Sequence, residues 1–212
     1  MQPLFELISD RVPQVLSVRS VYMMSITTRI ILMIIVMAGF SMGLNAQSRN
    51  NNLPTVPSLD LQRYAGKWYE IARYPNRFQK QCVGNVTANY TLTSGGGITV
   101  INECLKSNGK TDRAKGKAKI ADKQTNAKLK VRFAPAVISF FPFVWGDYWV
   151  LELGPNYEYS MIGEPGRDYF WILSRTPTMD ESLYNGLLER ARGMGFEPDR
   201  VVRTPQGMAS GE

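Results

Sequence analysis

The 212-residue sequence contains no histidine. That absence removes the Ser-His-Asp and Cys-His catalytic arrangements and every His-ligated metal site. Only two cysteines are present, Cys82 and Cys104, too few for a four-thiolate zinc site. Long apolar runs are also missing. The longest, Ile30 to Leu44, has fifteen residues, short of the ~20 that a membrane-spanning helix needs. Acidic residues are the minority sign, 18 Asp+Glu against 25 Lys+Arg, for a net charge of +7. With 44% hydrophobic and 20% charged residues, the chain reads as globular rather than disordered. One domain is expected at this length. The composition argues against a hydrolase or metalloenzyme and requires no cofactor.

The run IILMIIVMAGFSMGL follows Arg29 and precedes Asn45-Ala46-Gln47. This pattern fits a signal-peptide core and small-residue cleavage site, so residues 1–46 are expected to be removed and 47–212 to form the mature domain. An uncleaved membrane anchor is the alternative. Met23 and Met24 are alternative starts. Neither cysteine lies near residue 46, so none is placed for lipid attachment there. Counted from Gln47, 22 basic and 16 acidic residues leave +6, so the charge belongs to the mature domain. Export to the periplasm, the outer membrane or beyond makes a Cys82–Cys104 disulfide the expected use of the two thiols; two buried free thiols are the alternative. A simple hairpin about Ser94–Gly97 does not bring them opposite, so a bulge or bend near Val83-Gly84 is needed.

From Trp68 to Arg175 the pattern has period two, broken by Gly, Pro, Asn and Asp. Lys115, Lys117 and Lys119 alternate with Gly116, Ala118 and Ile120. Lys128, Lys130 and Arg132 alternate with Leu129, Val131 and Phe133. Each strand therefore has one wet and one apolar face. Eight strands are predicted, at 67–75, 84–93, 98–105, 114–121, 127–133, 147–153, 158–163 and 168–174. The fold class is all-β: an eight-stranded antiparallel up-and-down barrel over about 66–176 with space for one small ligand. One helix over about 179–194 packs outside it. Thr178 and Glu181 have capping-box spacing, and Leu183, Leu187, Leu188, Ala191 and Met194 form its apolar stripe.

The chain resembles the lipocalins, in particular the bacterial outer-membrane group near apolipoprotein D. Gly66-Lys67-Trp68-Tyr69-Glu70 matches the family's first-strand signature, Val86 to Tyr90 its second strand, and Asp168 to Pro177 its last. The middle motif, Thr-Asp-Tyr in the family, is reduced to Pro155-Asn156-Tyr157. The resemblance covers about 57–205. It implies the ligand-holding cup called the calyx, with Gly66, Trp68 and Arg175 forming its structural base, Arg175 lying across the indole. It also implies a fatty acid, lysophospholipid or similar small amphiphilic lipid as ligand, in support of cell-envelope lipid maintenance. Membrane-anchored members carry a lipid-modified cysteine after the signal, which this chain lacks.

With Trp68 at the base, loops 76–83, 106–113, 134–146 and 164–167 fall at the mouth. Strand parity gives a ligand-binding lining of Ala72, Ala88, Tyr90, Ala118, Leu129, Val131, Phe133 and Trp171, with Glu70 supplying a polar contact. Loop 134–146 is uncharged and aromatic. It either covers its own strands, forms a lipid-contacting lid through Phe140 and Phe141 at a membrane surface, or joins two subunits. Arg77, Lys80, Lys106, Lys110 and Arg113 lie on neighbouring mouth loops. An isomerase-like enzyme on this scaffold, or a binder of a tetrapyrrole or isoprenoid, are the competing readings; without a nucleophile–base pair the enzyme is the weaker. A transmembrane barrel needs an apolar outer face, and the lysine-bearing strands deny it. No aromatic platform interleaves the cations, so nucleic acid is not an expected partner.

Overall fold

The structure, a computed structural model, describes residues 53–209. The expected signal segment and its cleavage site lie outside the described residues. A short helix α1 (Leu61–Tyr64) leads into β1 (Gly66–Arg73), β2 (Cys82–Leu92), β3 (Ile98–Lys106), β4 (Thr111–Ile120), β5 (Lys128–Arg132), β6 (Gly146–Leu153), β7 (Tyr159–Gly163) and β8 (Phe170–Ser174). Helix α2 (Glu181–Gly193) and a two-residue strand β9 (Val202–Arg203) follow. Consecutive strands from β1 to β8 pair antiparallel, and β1 pairs with both β8 and β2, closing the barrel. All eight expected strands are present, and the ninth was not foreseen.

Alternation divides the apolar residues between two cores. The inner one holds Trp68, Tyr90, Val100, Leu129, Val150 and Leu173 among others. The outer one lies beneath α2, where Tyr184, Leu187 and Ala191 meet Ile71, Met161 and Ile172. The stripe of α2 is thus centred on Tyr184, Leu187 and Ala191, with Leu183, Leu188 and Met194 at its margins. Its cap is Asp180, whose Oδ1 accepts from the Leu183 amide at 2.9 Å, not the expected Thr178. A carboxylate one residue before the first turn satisfies an amide the turn leaves free.

A bulge in β1 changes the lining. Glu70 faces Leu173, but Ala72 faces Ile172, so one extra residue separates them. The strand's parity reverses at that point. Ala72 is corrected accordingly: it is buried in the outer core beneath α2, not on the cup's lining, and Arg73 turns inward beside Trp171.

A second irregularity, in β2, brings Cys82 to Cys104. Register shifts between Cys82 and Gly84 and between Gly84 and Thr87, with Asn85 at φ 50°, place the two Cα atoms 5.5 Å apart, and the disulfide forms. The bend expected near Val83-Gly84 is there.

β1 hydrogen-bonds to β2 only through Gly66–Tyr69. Above that level the two strands separate, and the C-terminal segment fills the seam. Val202 and Arg203 pair with β1, and the Thr204 amide donates to the Ile71 carbonyl at 2.9 Å. The Asn85 amide of β2 donates to the Pro205 carbonyl at 2.8 Å. Gln206 Nε2 spans both edges, donating to the carbonyls of Glu70 at 2.8 Å and Val86 at 3.0 Å. Gly84 makes room, because a Cβ there would sit 2.4 Å from the Met208 sulfur.

Candidate functional site: the barrel interior and its mouth

The base is closed by stacked and hydrogen-bonded aromatics. Trp68 is fully buried, and its Nε1 donates to the Tyr64 carbonyl at 2.9 Å. The Arg175 guanidinium lies 3.8 Å from the indole centroid and donates to the carbonyls of Lys67, Arg63 and Tyr157 at 2.8, 2.6 and 3.3 Å. Gly66, at φ +92°, brings backbone under that guanidinium; a Cβ would stand 3.5 Å from it. The shortened middle motif also serves the base, since the Tyr157 hydroxyl accepts from the Asp60 amide at 2.9 Å.

Three tyrosines form the floor. The Tyr148 hydroxyl lies 2.7 Å from that of Tyr64 and 3.0 Å from that of Tyr90. Burial pushes the Tyr64 phenol up to about 12 and raises the Tyr90 and Tyr148 phenols as well. All three stay neutral across physiological pH, so the floor carries no charge.

Ala88, Ala118 and Leu129 are also buried in the inner core, with Val131 and Trp171 packed against it. Phe133, 43% exposed, stands at the rim. Its ring occupies the space over Gly116, where a Cβ would lie 2.7 Å away. The small residue therefore admits Phe133 rather than leaving a void.

Glu70 is buried on the inner side, with its carboxylate fully engaged. Oε1 accepts from Arg73 Nη1 at 3.0 Å and from the Thr204 hydroxyl at 2.5 Å; Oε2 accepts from Gln79 Nε2 at 2.6 Å. Trp171 Nε1 reaches the same network through Gln79 Oε1 at 3.2 Å. Burial raises the carboxyl above its ordinary value, against the lowering effect of Thr204, Gln79 and Arg73. Glu70 thus ties β1, the mouth loop and the C-terminal segment together. Arg73 was invisible as an inward residue without the bulge, and Thr204 because its segment has no period to detect, whereas Tyr148 could have been read from the parity of β6.

The mouth loop divides into a packed part and an exposed part. The Trp145 ring is clamped between Lys119 and Arg132, at 4.2 and 5.2 Å from its centroid, and its Nε1 donates to the Ser139 carbonyl at 2.8 Å. Phe140 (72%), Phe143 (80%) and Val137 (76%) are open to solvent, with Phe141 (38%) between the two phenylalanines. The Phe140–Phe141 and Phe141–Phe143 centroids are 4.0 and 5.1 Å apart. Phe78, on another mouth loop, is likewise exposed and lies 6.0 Å from Tyr169.

A sequence profile described as a lipocalin-like domain matches residues 59–206. The chain belongs to the lipocalins. Temperature-induced lipocalin-1 of Arabidopsis thaliana is 44% identical over 161 residues, covering 75% of this chain and 86% of that protein. Outer membrane lipoprotein Blc of Escherichia coli K12 is 38% identical over 152 residues, 71% of this chain and 81% of Blc. Mouse apolipoprotein D is 30% identical over 72% of this chain and 80% of its own length. Among solved structures, insecticyanin of the tobacco hornworm Manduca sexta superposes with a TM-score of 0.59 at 20% identity, over 75% of this lipocalin and 87% of that chain. Lipocalins bind small hydrophobic ligands.

Proposed function

We propose that this lipocalin binds a small amphiphilic lipid, a fatty acid or lysophospholipid, in its barrel and stores or carries it in support of cell-envelope lipid maintenance. The supporting observation is an interior lined mostly by apolar residues over an uncharged tyrosine floor, with one buried network at Glu70 and exposed phenylalanines on the mouth loop. Burying about fourteen methylenes of a tail contributes at most ~11 kcal/mol. Association and ordering costs reduce this to micromolar or nanomolar affinity. The chain is exported, with residues 1–46 as its signal, and acts in the periplasm or at the outer membrane. The Blc relatives, named outer membrane lipoproteins, support that location. Loop 134–146 meets the membrane, where the ligand's tail leaves the bilayer. No step of this function requires covalent chemistry.

Native mass spectrometry of the purified protein, with extraction of bound lipid, tests the proposal. A co-purifying single-chain lipid, or quenching of Trp fluorescence on titration with fatty acid or lysophospholipid, is the expected result. A barrel that stays empty and a fluorescence that stays unchanged overturn it.

A further inference from the structure

The outer face of β4 carries Arg113, Lys115, Lys117 and Lys119 on one side of one strand, all exposed. At about 3.4 Å per residue, the four charges span about 20 Å. Arg113 lies 3.5 Å from Glu103, and Lys119 rests on Trp145. Lys115 and Lys117 form no ion pair among the described residues. The neighbouring strands do not dilute the charge. Lys117 faces Arg132 and Lys119 faces Lys130 across the β4–β5 ladder, and like charges directly opposite destabilise a sheet. Thr99 and Ile101 of β3 face Lys117 and Lys115 on the other side. Asp147 neutralises Lys130 at 2.8 Å, and Arg132 is buried, donating to the carbonyls of Ala134 and Pro135. The lysines of β4 therefore remain as an unbalanced cationic stripe.

The stripe is continuous with the exposed phenylalanines. β5 ends at Arg132 while β4 continues toward the mouth to Thr111. Loop 133–145 thus leaves the wall beside the upper half of β4, and Trp145 pins it there between Lys119 and Arg132. Cations adjoining an exposed apolar cluster complement a surface that is anionic at its headgroups and apolar just beneath them. The phenylalanines pack on one another, Phe140 tilted against Phe141 and Phe143 stacked on it, rather than standing apart as separate base platforms.

We infer that the β4 face of the barrel is a docking surface for an anionic lipid bilayer, with Lys115 and Lys117 reading headgroup charge and Phe140 and Phe143 entering the acyl boundary. This rests on the lipid-carrier reading and adds to it the charge class of the membrane served. The contact is side-on, so the wall lies on headgroups while the rim reaches lipid.

Sedimentation of the purified protein with phosphatidylcholine vesicles, with and without phosphatidylglycerol, at low and physiological salt, tests the inference. Expected is tighter binding with phosphatidylglycerol, weakened by salt, and a loss of about fivefold per lysine removed in Lys115→Gln/Lys117→Gln. Lys67→Gln, which removes a single charge on β1, should leave binding within about twofold of the parent at physiological salt, where a distant charge is screened. Phe140→Ser/Phe143→Ser should weaken binding to both vesicle types. Equal binding to both vesicle types, or an equal loss per charge in Lys67→Gln, overturns the inference. So does tighter binding to a duplex oligonucleotide than to phosphatidylglycerol vesicles at the same salt. Failure of lipid carriage reads out separately, as absence of bound lipid in solution, where the lysine variants should load like the parent.

Discussion

Arg175 covers Trp68 at 3.8 Å while donating to three carbonyls, those of Arg63, Lys67 and Tyr157. A single guanidinium thus joins the α1 segment, the start of β1 and the β6–β7 turn over the most buried indole of the fold. Lysine has the charge but not the planar fork, so the two residues are not equivalent here.

Replacing Arg175 with Ala should lower stability by about 2–4 kcal/mol, from lost charge-assisted hydrogen bonds and the cation–π contact. Arg175→Lys should recover less than half of that. Denaturant unfolding followed by Trp fluorescence measures both, and an unchanged midpoint in Arg175→Ala would remove this residue from the base.

Glu70 provides a pH test. Its folded carboxyl is raised above the ordinary 4.5 by burial, so the folded state holds the proton more tightly than the unfolded chain. Its contribution is fully present below the unfolded value and is lost as pH rises through the folded one, by at most ~1.4 kcal/mol per pH unit. Glu70→Gln cannot titrate. The stability difference, parent minus variant, should therefore fall as pH is raised from about 4 toward neutrality. A difference that is flat or rising over that range refutes the assignment.

The Cys82–Cys104 bridge closes a segment with a sequence separation of 22. Constraining a loop of that size in the unfolded chain is worth about 3 kcal/mol. Cys82→Ser/Cys104→Ser should lose about that much, and a reducing agent should do the same to the parent but leave the variant unchanged. Equal response of both proteins to the reductant would argue against the bridge in solution.

Gly116→Ala forces a Cβ to within 2.7 Å of the Phe133 ring and 2.8 Å of the Arg132 carbonyl. The ring must leave, at a cost of about 1–3 kcal/mol. Combining it with Phe133→Leu should be less damaging than the sum of the two changes. Strict additivity in a double-mutant cycle would show that the two residues do not share this space.

The strands were legible because their alternation is strong: the lysine-bearing β4 and β5 display both faces in the sequence itself. The base was legible through the Gly66–Glu70 signature and Arg175. Ala72 was misplaced because a bulge inserts one residue without a compositional mark, and every residue after it changes sides. The C-terminal seam was missed for a different reason. A strand of two residues, Val202 and Arg203, has no period to detect, and its binding to β1 and β2 depends on geometry created more than a hundred residues earlier. The cap of α2 went to Asp180 because the helix begins later than the Thr178–Glu181 spacing suggested.

The segment that fills the β1–β2 seam ties residues far apart along the chain: Thr204 to Glu70 across 134 positions, and Gln206 to Glu70 across 136. Contacts of such separation close the largest loops and carry the heaviest entropic cost of formation. The floor is closed over nearly the same distance, Arg175 reaching Lys67 across 108 positions and Arg63 across 112. Above Tyr69 the wall of the cup between β1 and β2 is closed by the chain's own tail rather than by a strand-to-strand ladder, so the seam's integrity depends on Thr204 to Gln206 staying in place.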